Sequence, residues 1–139
     1  MLTEDGERQK EMAFWPRRSR AASCATPKAT APAASRLAGQ LRRAGLPVAS
    51  MPRDWAQAAG GGLVVGSRAA ALAPVRDLGA VLVLDEHDEA YQEERAPTWN
   101  ARDLAVERAR RARVPCVLAS AAPTLEALAA GHLLVPSRA

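Results

Sequence analysis

The chain has 139 residues, 48% of them hydrophobic but only 4% aromatic, enough for one domain with a core of small aliphatic side chains. Lysine and arginine outnumber aspartate and glutamate by 19 to 15, which either favours an acidic partner such as nucleic acid or simply reflects the composition of a GC-rich genome. The two cysteines, Cys24 and Cys116, have no metal-binding spacing, so we expect no metal site. No apolar run approaches the roughly 18 residues that span a bilayer, which predicts a cytoplasmic protein with no membrane partner.

The N-terminal segment, residues 1–32, shows no sustained periodicity up to about Thr30. It carries basic residues separated by small residues and prolines. This composition is typical of a flexible basic arm. We therefore place the start of the folded domain at residue 33 and let it run to residue 139.

From residue 33 the sequence alternates between helix and strand patterns. Ala34, Leu37, Ala38 and Leu41 recur at helical spacing, and Gly45 follows as a C-cap. Four apolar runs predict strands: Leu46–Met51, Leu63–Val65, Val81–Leu84 and Pro115–Ala119. Further helices are predicted after Pro52, from Ala101 to about Arg113 with Asn100 as N-cap, and over Thr124–Ala130. Strands that alternate with helices predict an α/β fold with a parallel sheet of about four strands.

The strand predicted at Val81–Leu84 ends abruptly in charged residues, Asp85, Glu86 and His87. In parallel α/β sheets, ligands bind beyond the carboxyl ends of the strands. A catalytic site and a merely solvated loop both fit this pattern. The same alternatives apply to a row of arginines on the outer side of the long predicted helix, which is either solvated or in contact with phosphate. These arginines are Arg108, Arg110, Arg111 and Arg113.

Five blocks in order, with matching gaps, resemble the primosomal protein N′ family, the PriA replication-restart helicases. The blocks are Val64–Ala70, Ala73–Gly79, His87–Tyr91, Asn100–Ala105 and Ala119–Glu126. The resemblance is to a degenerate member of the actinobacterial type, and to a fragment of it. It implies that residues 33–139 are part of a RecA-like motor lobe, truncated at its C-terminus, that acts in replication restart. It also implies that forked or single-stranded DNA and other primosome proteins are the partners, and ATP and Mg²⁺ the cofactors.

The resemblance assigns the catalytic positions of the family's DEEH box to Asp85, Glu86 and His87, and DNA contact to Arg68 and Ser120. Leu84, however, stands where the family has its first, Mg²⁺-binding acid, and leucine offers no oxygen to a hard cation. A shifted register would instead make Asp85 and Glu86 the acid pair. The sequence also contains no G-x-x-x-x-G-K-[ST] phosphate loop, so no cofactor is expected in this chain.

These departures predict a DNA-binding component of replication restart without its own ATPase activity. One alternative is an ATP-dependent 3′-5′ DNA helicase whose missing motifs lie outside this chain. Another is a non-functional gene fragment.

Overall fold

The computed structural model describes residues 23–27, 30–131 and 133–135. The helices and strands in chain order are β1 (Ser23–Pro27), α1 (Ala31–Arg43), β2 (Val48–Met51), α2 (Trp55–Ala59), β3 (Leu63–Gly66), β4 (Leu78–Leu84), β5 (Gln92–Glu93), β6 (Trp99–Asn100), α3 (Ala101–Ala112), β7 (Cys116–Ala119) and α4 (Leu125–Ala130). Single turns of 3-10 helix lie at Arg68–Leu72 and Glu89–Tyr91.

Five strands form one sheet in the order β2-β3-β1-β4-β7, and every pair in it is parallel. The two short strands β5 and β6 form a separate antiparallel ladder. The α/β class and the parallel sheet predicted from the sequence are confirmed. All four predicted strands are present, with small shifts at their ends.

The fifth strand, β1, lies within the segment that the sequence predicts to be an arm. It pairs with β3 on one side and β4 on the other, which makes it the middle strand of the sheet. The arm prediction is therefore wrong for Ser23–Pro27 and for the start of α1 at Ala31. Its sequence, SCATP, lacks the run of branched apolar residues by which strands are recognised. Residues 1–22, 28 and 29 lie outside the described residues, and for them the arm stays a prediction.

Helix α1 covers one face of β2 and β3. Thr30 caps its N-terminus by accepting a hydrogen bond from Ala33 N, and Gly45 follows its C-terminal end with a φ of +83°. The small residues Ala34 and Ala38 pack against Val48 and Val65, so the helix approaches the sheet closely. The helix predicted from periodicity is confirmed, because its apolar stripe and its C-terminal end were readable from the sequence, whereas its start at Ala31 was not.

The opposite face of the sheet carries α2, the 3-10 turn after β3, and α3. Alanines at 101, 105 and 109 of α3 are buried against Val81 and Val83 of β4. Asn100 caps α3 as predicted, accepting from Arg102 N at 2.9 Å and Asp103 N at 3.4 Å. Helices therefore lie on both faces, which is the layering expected of a parallel sheet.

One arginine of α3 turns inward instead of following the outer face. Arg108 donates from Nη1 to Ala71 O at 2.5 Å and from Nη2 to Ala73 O at 2.8 Å. Burial lowers the pKa of its guanidinium. The solvated or phosphate-binding role considered for Arg108 is wrong. Arg110 and Arg111 are exposed and both pair with Glu107.

Among the described helices, α1 alone covers its side of the sheet, and it does so over β2 and β3. Leu82 and Leu84 of β4 are half-buried there, and Val117 of β7 is 55% exposed. Among the described residues β7 has a single neighbouring strand, so it forms one edge of the sheet. In the described part of the chain, no helix combines the length and apolarity needed to cross a bilayer.

Candidate functional site

Polar residues gather where the strands end, at a single edge of the sheet. Because all five strands are parallel, the loops after β2, β3, β4 and β7 leave from the same side. The polar residues at this edge form two groups. One is a cleft beside α1, and the other is a cluster of acids and hydroxyls after β4 and β7.

The cleft has a volume of about 310 Å³ and lies between one side of α1 and the ends of β2 and β3. We call it the arginine cleft, and its lining residues are Ala31, Ala34, Ser35, Arg42, Ser50, Met51, Pro52, Arg53, Val65, Gly66 and Ser67. The two charged side chains of this lining are both arginines, and their side chains are 40% and 74% exposed. The cleft is therefore basic, open to solvent and lined with hydroxyl groups.

The two arginines of the cleft share one carboxylate, that of Asp54. Asp54 accepts from Arg53 Nε at 3.0 Å, from Arg42 Nη2 at 3.3 Å and from Ser50 N at 2.9 Å. The Arg53 hydrogen bond, followed by the Ser50 N–H, holds the pKa of the Asp54 carboxyl below its usual range.

Glu86, one of the predicted catalytic acids, is buried and tied to two other elements. Its carboxylate accepts from Thr124 N at 2.8 Å, Thr124 Oγ1 at 3.0 Å and Arg102 Nη1 at 3.3 Å. We call Glu86, Arg102 and Thr124 the Glu86 network. It joins the end of β4 to the first turn of α3 and the N-cap of α4. Because both carboxylate oxygens are engaged and the residue is 2% exposed, Glu86 is poorly placed to bind a ligand.

Asp85 stands at the turn that directs Glu86 inward. Its φ of +55° lies in the left-handed region, which aspartate tolerates better than most residues, and Asp88 N bonds to its carbonyl at 3.0 Å. The buried Tyr91 hydroxyl donates to Leu84 O and so fixes the same turn. Burial, and then the neighbouring charge of Asp85, raise the pKa of Tyr91.

His87 and Ser120 meet across the ends of β4 and β7. His87 Nδ1 lies 2.5 Å from Ser120 Oγ, which also accepts from Ala122 N at 3.1 Å. The sequence assigned these two residues to different roles, and the structure brings them into direct contact. Both roles stay predictions.

Arg68, predicted to contact DNA, is held by the β5 strand. Its Nη1 donates to Gln92 O at 2.6 Å, and its Nη2 lies 3.3 Å from Glu93 Oε2. The backbone N–H of Arg95 and, to a lesser extent, the charge of Arg68 keep the pKa of Glu93 below its ordinary value. The Arg68 side chain is 33% exposed, so part of it still faces solvent.

The residues present do not fit a Mg²⁺–nucleotide site. Leu84 offers no ligand oxygen, Glu86 is fully engaged, and His87 pairs with Ser120. Within the described residues, no group of three or more His, Cys, Asp or Glu side chains is arranged to hold a metal ion. We therefore assign no chemical step to a metal or a nucleotide.

Four residues of this edge were not selected from the sequence: Arg42, Arg53, Arg102 and Thr124. Each lies in a local context that explains it without a ligand, such as the last turn of a helix or an N-cap. Several of their contacts join residues far apart in the chain, as Glu86 is from Thr124 and Arg42 from Asp54. The excess of basic residues was the one signal that pointed towards the cleft.

Comparison with known proteins supports the resemblance seen in the sequence. No protein-family model matches the chain. Replication restart protein PriA of Bacillus subtilis is 43% identical over 67 residues, which are 48% of this chain and 8% of that protein. The Chlamydia pneumoniae PriA is 46% identical over 77 residues, 53% of this chain and 10% of that protein. The Haemophilus influenzae PriA is 32% identical over 75 residues, 54% of this chain and 10% of that protein.

The matched segment thus spans no more than about a tenth of the length of these relatives. Within that span the similarity is consistent across several bacteria, with identities of 32 to 46%. The predicted family resemblance is confirmed: over about half of its length, this chain is similar to one short segment of replication restart protein PriA.

Proposed function

We propose that this chain is a DNA-binding component of replication restart that does not hydrolyse ATP. The observation that carries the proposal is the similarity to proteins named replication restart protein PriA. We propose that the five-stranded parallel sheet with helices on both faces is part of a RecA-like lobe. Its partners are then forked or single-stranded DNA and other primosome proteins, in the cytoplasm.

The arginine cleft supports DNA binding. It is open, basic and bordered by the first turn of α1, a helix of 13 residues whose N-terminal dipole favours negative charge. Backbone amides, hydroxyls and arginines are the groups that contact nucleic-acid phosphates without reading sequence. The proposal places the DNA backbone along this cleft, with Arg53 as the most exposed contact.

Binding is tested with a fluorescent oligothymidylate of about 20 nucleotides, long enough to cover a site of single-domain size. Each phosphate neutralised on a single strand contributes roughly −0.7 to the slope of log K against log salt. Arg53→Gln should make the slope shallower by about that amount. Arg95→Gln is the matched control, because Arg95 is 87% exposed and also donates from Nε to one carboxylate, Glu93, outside the cleft. If the wild-type chain shows no salt-dependent binding, the DNA-binding proposal fails.

The lack of ATPase activity is tested directly on the same protein. We expect no hydrolysis above background with or without DNA, because Leu84 replaces a ligand acid and Glu86 is engaged by Arg102 and Thr124. A DNA-stimulated turnover of about 1 s⁻¹, within the ordinary range of enzymes, would contradict this part of the proposal.

One contact favours the helicase alternative. His87 and Ser120 join the loops after β4 and β7, as two communicating motor motifs would. If the chain is one piece of a working motor, adding the missing segments should restore DNA-dependent hydrolysis, and Ser120→Ala should then reduce it. Without such restoration, the contact is structural.

A further inference from the structure

Within the part of the chain that the structure describes, Asp54 is the one acid bound to the two arginines of the cleft, but it does not itself line the cleft. Its side chain is 20% exposed and lies behind Arg42 and Arg53, with contacts of 3.3 and 3.0 Å. Although Asp54 stands at the N-cap position of α2, its side chain makes no capping hydrogen bond there. The Asp54 carboxylate therefore accepts hydrogen bonds from the two guanidinium groups and from Ser50 N, and does not cap α2.

The two arginines depend on Asp54 to different degrees. Arg42 Nη2 also donates to Val48 O at 2.8 Å and to Ser50 Oγ at 2.7 Å, both shorter than its contact with Asp54. Arg42 therefore keeps its position if the carboxylate is removed. Arg53 has no other partner among the described residues, and its side chain is 74% exposed. Removal of the Asp54 carboxylate therefore releases the Arg53 side chain.

We propose that Asp54 acts as an internal competitor for phosphate, which holds the affinity of the arginine cleft for DNA below the value that its arginines alone would give. The inference rests on the proposed DNA-binding function and deepens it. A phosphate entering the cleft has to share the guanidinium donors with an anion already bound to them, and it meets the negative charge of that anion. Removal of the charge frees the Arg53 guanidinium for the phosphate, while Arg42 stays in place and loses only its contact with the competing anion.

The test is the affinity of Asp54→Asn for the same oligothymidylate. We expect binding about four-fold tighter at low salt, the size of one unit-charge interaction across roughly 5 Å of water. Because part of the effect passes through Arg53, the double variant Arg53→Gln/Asp54→Asn should gain less affinity over Arg53→Gln than Asp54→Asn gains over the wild type.

Asp103→Asn is the matched control. Asp103 also accepts from an arginine Nε, that of Arg102 at 2.9 Å, and its side chain is 65% exposed and remote from the cleft. The Asp103→Asn variant changes the net charge of the chain by the same amount as Asp54→Asn. Equal gains from both variants would show that overall charge is responsible, and the inference would be wrong.

The remaining outcomes separate the two proposals. If the wild type binds DNA and Asp54→Asn binds equally or more weakly, the inference is overturned while DNA binding stands. If the wild type does not bind at all, the proposed function itself fails. Should Asp54→Asn unfold, Asp54→Ser removes the same charge with a smaller side chain. The wild type gives an independent readout, because the Arg53 Nε–H NMR signal should shift on DNA titration, and an unchanged signal overturns the inference.

Discussion

Glu86 shows how a single buried carboxylate can connect several elements of a fold. It is 2% exposed, and its two oxygens accept hydrogen bonds from Thr124 and Arg102. A buried charge is costly unless it is paired and hydrogen-bonded, and here both conditions are met. The Glu86 network therefore fixes the relative positions of the loops after β4 and β7.

Glu86→Ala should lower the free energy of unfolding by about 3 kcal/mol, because it leaves the Arg102 guanidinium and the Thr124 N–H without their acceptor. Glu86→Gln should cost about 1.5 kcal/mol, since the amide oxygen still accepts from Thr124 N. The control is Glu89→Ala, at an exposed position in the next turn, which should change stability by less than about 0.5 kcal/mol. Urea denaturation measures all three. Equal stability of the Ala variants at 86 and 89 would show that the network does not form in solution.

At the scale of single residues, the sequence predicts where a side chain lies in the fold better than which residue it contacts. The acids after β4 were placed correctly at the carboxyl edge, because a buried apolar run followed by charges marks the end of a strand. The partner of Glu86 could not be predicted, since Thr124 follows it by 38 residues. The arginine cleft was missed for the same reason, because α1 and the loop after β2 meet only in the folded chain.

At the scale of elements, β2 and β3 approach each other closely at Gly66. A Cβ atom on Gly66 would lie 2.7 Å from Met51 Cβ and 3.1 Å from Met51 O. Real Cβ atoms do not approach that closely, so the pairing of these strands requires glycine at position 66. Residues at the ends of the same two strands line the arginine cleft.

Gly66→Ala should therefore destabilise the chain by about 1 to 3 kcal/mol, as expected for overpacking. Gly39→Ala is the informative control, because a Cβ there has no contact shorter than 3.5 Å. Gly39 lies inside α1, where alanine is the better helix former, so this change should stabilise by up to about 1 kcal/mol. The melting temperature should fall in Gly66→Ala and rise in Gly39→Ala. Melting temperatures that fall together would contradict the close approach described for β2 and β3.

For the whole molecule, stability should depend on pH through several carboxylates bound to arginine. Hydrogen bonds from Arg110 and Arg111 lower the pKa of Glu107 to about 2 from an ordinary 4.5, and Asp54 and Glu93 shift in the same direction. Each folded-state pKa lies below its unfolded value, so the unfolded chain binds more protons in acid. The stabilisation is complete above about pH 4.5 and disappears as the pH falls towards 2.

We expect the melting temperature to fall steadily between about pH 4.5 and pH 2, and to fall less steeply in Glu107→Gln, which cannot take up that proton. Glu94→Gln, at an exposed carboxylate without an arginine partner in the described part of the chain, is the control and should leave the slope unchanged. High salt should reduce the difference in slope between the wild type and Glu107→Gln, since these ion pairs are at the surface. An identical slope in Glu107→Gln would show that the Glu107 pairs with Arg110 and Arg111 do not persist in solution.

The middle position of β1 has a consequence for how this chain is made. Strand β1 leaves the ribosome first, yet its partners include Leu63 of β3 and Ala80 of β4, so the sheet cannot close until residues up to about Ala80 have been synthesised. Until then, β1 lacks its partner strands in the nascent chain, and it cannot join the β2–β3 pair to the β4–β7 pair. A deletion meant to remove only the basic arm should stop at residue 22. Removal of residues 1–30 also takes away β1 and the Thr30 cap, and should abolish cooperative unfolding that the shorter deletion retains.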